Sequence, residues 1–150
     1  MAEYTQSIDL PGTDIQRDDP VLGDVRKEWD WVSEGVKEVL EGSPHLTYRP
    51  EDVYAACLTG QALLWITSEG FVVSTVEVDE FTDVRTFLVW IAWAGRRGNA
   101  NAAYYLPFAE EQARRMGCGK IEVRTDHMPV AEYLKRGGWN LDTIVLTRDL

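Results

Sequence analysis

Gly95-Arg96-Arg97-Gly98-Asn99-Ala100 is the segment of this chain whose residue types and spacing point most directly to chemistry. It follows an apolar run, Phe87 to Ala94, and precedes a helix-forming stretch, so the turn aims free backbone N–H groups and the positive end of a helix dipole at one point. That arrangement suits a phosphate, and Arg96 and Arg97 add guanidinium groups that match phosphate oxygens in charge and geometry. The alternative is an ordinary strand-to-helix connection, in which the glycines only permit a tight turn.

The other reactive side chains give less. His45 and His127 stand without Cys, Asp or Glu at metal-ligand spacing, so no metal is expected. The two cysteines, Cys57 and Cys118, occur in unrelated contexts and read as packed free thiols rather than a disulfide or an acyl carrier. Glu77, Asp79 and Glu80 cluster at a strand end, where a solvated hairpin is the plain reading and proton abstraction the sharper one.

Charge narrows the class of partner. The net charge of −10 is lopsided: residues 1–84 carry 5 basic and 18 acidic side chains, residues 85–150 carry 10 basic and 7 acidic. A phosphate polymer would be repelled by most of such a surface, so nucleic acid is not an expected partner. A small anion near the arginine turn and a cation elsewhere would fit. No apolar run is long enough for a membrane span, and no secretory leader is evident, so neither membrane nor export is expected and the cytoplasm is.

These groups need a scaffold, and 150 residues suffice for one domain with a packed core. Residues 1–20 read as an extended acidic arm and residues 21–150 as a single domain. Apolar positions Val25, Trp29, Val32, Val36 and Val39 recur at helical spacing between Asp24 and Glu41, and Trp31 falls off that stripe, as if to face a partner. Arg49-Pro50-Glu51-Asp52 opens a second helix that closes at Thr59-Gly60. Strands are expected at Ala62 to Thr67, Phe71 to Val78 and about Arg85 to Ala94, forming an antiparallel meander. A helix follows the arginine turn, contains Pro107, which should kink it, and ends at Gly117-Cys118-Gly119. A strand at Lys120 to Thr125, a short helix at Met128 to Lys135 and a closing strand at Thr143 to Thr147 complete an α/β (α+β) chain. Its sheet is mixed, with a meander followed by β-α-β and helices on both faces.

This order, with the glycine turn, the Ala113-Arg114-Arg115-Met116-Gly117 helix end and the Tyr133…Gly138-Trp139 ending, resembles the GNAT-type N-acetyltransferase superfamily. The resemblance covers roughly residues 21–150. The family's phosphate turn reads Arg or Gln, two residues, Gly, one residue, Gly or Ala; here Gly98 and Ala100 match and Gly95 replaces the first position. The resemblance implies acetyl-CoA as the substrate-type cofactor, without a metal. Its pyrophosphate would lie on Gly95, Arg96, Arg97, Gly98, Asn99 and Ala100, and its pantetheine along the backbone of Val89, Ile91 and Trp93. It also implies Tyr133, five residues before Gly138 instead of the family's four, as the acid that protonates the departing thiolate. Glu77 and Glu80 stand in for a base, since the strand from Val84 to Ala94 holds no acid.

Two functions follow from the resemblance. One is transfer of acetyl to a small-molecule or protein amine. The other is a catalytically silent assembly protein of the same fold, similar to those borne by tailed bacteriophages, located in the host cytoplasm or virion and forming a homo-oligomer or larger assembly through the N-terminal arm.

Overall fold

The computed structural model describes residues 19–95 and 102–150. Its elements are β1 (Val21–Leu22), α1 (Val25–Glu41), α2 (Pro50–Leu58), β2 (Ala62–Ile66), β3 (Gly70–Val78), β4 (Arg85–Ala94), α3 (Ala102–Arg115), β5 (Lys120–Val123) and α4 (Met128–Arg136). The strands form one sheet in the order β1-β2-β3-β4-β5, antiparallel through β4 and parallel between β4 and β5.

Local sequence accounts for most of these boundaries. Asp24 caps α1 by accepting a hydrogen bond from the Arg26 N–H at 3.0 Å, and that bond with the Arg26 guanidinium holds its carboxyl below the usual range. Pro50 starts α2, where Asp52 accepts from the Arg49 N–H at 2.8 Å. Two glycines with positive φ, Gly117 (75°) and Gly138 (92°), close α3 and α4. The next N–H in each case, of Cys118 or Trp139, reaches back five residues to Ala113 or Leu134.

The sheet carries a core on each face. Val32, Val36 and Val39 of α1 and Val53 of α2 pack on Leu64, Phe71, Val73 and Ile91. On the opposite face Phe87, Val89 and Ala92 meet Ala113 of α3, with Ile121 and Val123 beside them. Helices therefore cover both faces, as the α/β pattern requires. α1 comes unusually close to the sheet at buried Gly35, where an added Cβ would lie 2.5 Å from Phe71 Cε1 and 2.8 Å from Trp93 Cδ2.

Three expectations need correction. Trp31 does not face outward: its ring packs against Phe71 (5.8 Å) and Trp93 (6.4 Å), and its indole N–H donates to Glu28, so it closes the core edge. A short β1 at Val21–Leu22 precedes α1, paired with Ile66 and Trp65, where the sequence suggested none. The closing strand at Thr143 to Thr147 does not form: residues 140–150 lie outside helix and strand, and Ile144, Val145 and Leu146 are 75%, 79% and 89% exposed. Their strand propensity is high, but a strand exists only when a neighbour pairs with it. Of the expected acidic arm, residues 1–18 lie outside the described residues; α3 runs through Pro107.

Candidate functional site

The site starts from the way β4 and β5 part. Their parallel pairing runs from Thr86↔Lys120 to Val89↔Val123 and stops there, whereas β4 continues to Ala94 with only β3 beside it among the described residues. The unpartnered stretch Trp90 to Ala94 is about 16 Å long at the usual strand rise. Alternate backbone N–H and C=O groups along it point towards the side that β5 has left.

A bulge lies at the same place. Val73 pairs with Ile91 and Ser74 with Val89, so Trp90 is the extra residue on β4. Val89 belongs to the α3-side core, while Trp90 and Ile91 both pack on the α1/α2 side. Val89, Ile91 and Trp93 thus do not share a face despite their even spacing. Trp93 stacks on Phe71 (5.7 Å, 27°) and donates its indole N–H to Glu38 at 3.0 Å, which leaves only its backbone for a ligand in the split.

Gly95, the first residue of the glycine and arginine segment, directly follows this stretch. The Gly95 N–H donates to the Glu69 carbonyl at 2.8 Å, so this one amide is already committed and Gly95 serves by shaping the chain. Arg96, Arg97, Gly98, Asn99 and Ala100 lie outside the described residues.

Two contacts bring the α1–α2 loop towards the end of the β4–β5 pairing. The loop between α1 and α2 lays Tyr48 against the bulge residue Trp90, ring centroids 5.2 Å apart, and burial pushes the Tyr48 hydroxyl above its ordinary pKa. The same loop places His45 Nδ1 3.5 Å from Asp126 Oδ2, and the other oxygen of Asp126 lies 3.3 Å from His127 Nε2. Asp126 is three residues beyond Val123, the last paired residue of β5. The His45 side chain is largely exposed, with its Nδ1 turned to the Asp126 carboxylate. No spacing rule could reveal the pair, because the two residues come from distant segments joined only by the fold.

The sequence-derived candidates fall around the parting of β4 and β5 and away from it. Glu77, opposite Thr86 on β3, accepts a hydrogen bond from Arg124 at 2.9 Å; Arg124 also donates to Glu122 at 2.6 Å. Glu80 is exposed in the β3–β4 turn, next to Asp79, which accepts from the N–H groups of Phe81 and Thr82 and is thereby held below the usual carboxyl range. Tyr133 is half-buried on α4. Cys57 is half-buried, and burial raises its thiol pKa to about 11, which makes it a poor nucleophile. Among the described residues no group of three or more His, Cys, Asp or Glu side chains could hold a metal ion, and no helix is long and apolar enough to cross a membrane. A separate open groove of about 230 Å³ is lined by Arg26, Trp29, Asp30, Glu51 and Tyr54, and no strand contributes to it.

No family model and no curated protein sequence matches the chain. Solved structures do. A predicted acetyltransferase from Clostridium acetobutylicum, solved with acetyl-CoA, is similar at a TM-score of 0.66 and 13% identity, over 89% of this chain and 96% of that one. An acetyltransferase from Trypanosoma brucei is similar at 0.65 and 10% identity, over 90% and 100%. A transcriptional regulator from Bacillus halodurans is similar at 0.64 and 12% identity, over 87% and 99%. None of the three is described as a phage or virion protein. The fold is that of the GNAT-like acetyltransferases, and at these identities the likeness is one of fold.

Proposed function

We propose that this chain binds acetyl-CoA in the split between β4 and β5 and transfers its acetyl group to an amine. The observation that carries the proposal is the end of β4–β5 pairing at Val89 and Val123, coinciding with the bulge at Trp90. Among the described residues it leaves a strand edge with β3 as its one neighbour, and the sequence runs on from that edge into the segment that bears Arg96 and Arg97. An amide-bearing pantetheine chain can pair with such an edge as an added strand would, and the diphosphate would lie on the turn. The acetyltransferase solved with acetyl-CoA shares this fold, which supports the same ligand here.

The chemistry then needs few groups. The amine nitrogen attacks the thioester carbonyl carbon, a tetrahedral oxyanion forms, and the carbon–sulfur bond breaks to give the amide and a thiolate. The Trp90–Ala94 edge supplies N–H groups for the oxyanion, and holding the two reactants together supplies much of the acceleration. His45, oriented by Asp126, takes the proton that the amine loses, directly or through one water. Tyr133 protonates the thiolate, with Tyr48 beside Trp90 as its rival. Glu77 is the competing base, and its engagement by Arg124 argues for His45 ahead of it. The helices and loop on the acceptor side belong to the acidic part of the chain, which favours a cationic amine over an anionic acceptor.

Calorimetric titration of the whole protein with acetyl-CoA, followed by a thiol-release assay across a panel of amines, tests this. Saturable binding and amine-dependent thiol release are expected. Absence of binding at roughly millimolar ligand, far above ordinary KM values, would remove the proposal; binding without release under any amine would leave a ligand sensor.

A further inference from the structure

Trp90 stands at a point of β4 where three features coincide. It is the extra residue of the bulge, it is the first residue beyond the β4–β5 pairing, and its ring meets that of Tyr48 from the α1–α2 loop. The bulge lets Trp90 and Ile91 share the α1/α2 side, which strict alternation along a strand forbids. A half-buried indole is thereby fixed at the place where the two strands separate.

With a diphosphate at the Gly95 end, an extended pantetheine arm paired along Ala94 to Trp90 brings its sulfur to the Trp90 end of the stretch. Whatever acyl group that sulfur carries must find room there. Ahead of it the strands close, with Val89 paired to Val123. Towards α3 both valines pack into the core around Phe87 and Ala113. Towards α1 and α2 stands Trp90, with Tyr48 5.2 Å away and the α1/α2 core behind it. Side chains packed in this way leave little free volume for a guest.

Given acetyl-CoA binding as set out under the proposed function, on which this inference rests, we propose that Trp90, held by Tyr48, sets the length of acyl chain the protein accepts. Acetyl is admitted, and chains several carbons longer are excluded. The sign of the effect is diagnostic. A longer chain entering an open apolar channel gains affinity with each methylene it buries, whereas one pressed against a packed ring meets the penalty of overpacking. Trp90 takes no part in proton transfer, so its signature is a change in which thioester binds, with binding of the pantetheine arm itself preserved.

The test is calorimetric titration of the full chain with coenzyme A and with acetyl-, butyryl- and hexanoyl-CoA, for the parent, Trp90→Ala and Trp90→Leu. The parent is expected to bind hexanoyl-CoA about tenfold more weakly than acetyl-CoA, within the lower part of the overpacking range, with butyryl-CoA between them. Both variants are expected to bind hexanoyl-CoA at least as tightly as acetyl-CoA, and coenzyme A as the parent does. Trp90→Leu keeps an apolar side chain against the α1/α2 core, so it reports on chain length even if Trp90→Ala misfolds. A parent that binds hexanoyl-CoA as well as acetyl-CoA overturns the proposal and leaves acetyl-CoA binding standing. A folded variant that keeps the parent's preference does the same. A parent that binds none of these ligands overturns the proposal together with the function on which it rests.

Discussion

Replacing Gly35 with valine is expected to destabilise the protein by about 2–3 kcal/mol, the upper part of the range for overpacking a well-filled core. The Cβ alone would meet Phe71 Cε1 at 2.5 Å and Trp93 Cδ2 at 2.8 Å, and valine adds two methyl groups beyond it. Neither ring can retreat easily: Phe71 is 1% exposed, the two rings stack on each other, and Trp31 closes the outer side. The alanine variant sharpens the point. On helix propensity alone, Gly35→Ala should stabilise α1 by about 1 kcal/mol, but the contact distances set a larger cost against it. Both variants should therefore lower the urea midpoint without changing the slope, valine more than alanine. A stabilised Gly35→Ala would show that α1 does not approach the sheet this closely. Because Trp93 is part of the β4 stretch that β5 leaves, a displaced α1 is also expected to weaken acetyl-CoA binding.

The second large effect concerns His45. With acetyl-CoA and a responsive amine, His45→Ala is expected to lower kcat about 100-fold, the lower end of what a positioned proton acceptor contributes. Acetyl-CoA affinity should stay the same, since the proposed role of His45 is on the amine and not on the cofactor. Asp126→Asn should lose a smaller part of the rate, because its carboxylate faces the ring without taking the proton. If instead Glu77→Gln abolishes turnover and His45→Ala does not, the base is the carboxylate that Arg124 holds.

Much of the scaffold could be read from residue order. β4 runs over the expected Arg85 to Ala94, α1 starts where Asp24 can cap it, and α3 stops at the glycine that permits a positive φ. Each of these is a local decision, made by side chains within a few residues of the boundary. The features that escaped are those decided across the fold. The Trp90 bulge has no glycine or proline to announce it, since it arises from a mismatch between β3 and β4. Trp31 looked surplus to its helix stripe because its partners, Phe71 and Trp93, come from two strands. His45 and Asp126 gave no signal because their pairing depends on the α1–α2 loop lying over the end of β5. The segment at Thr143 to Thr147 carries the right residues for a strand, but pairing requires a neighbour that its own sequence cannot supply.

The central claim is that the parting of β4 from β5 receives acetyl-CoA, and amide chemical-shift mapping of the labelled full chain during an acetyl-CoA titration tests it most directly. Saturable shifts are predicted for Trp90 to Ala94 and for Val123 to Thr125. Shifts confined to the groove around Arg26 and Tyr54, or no shifts at all, would contradict it.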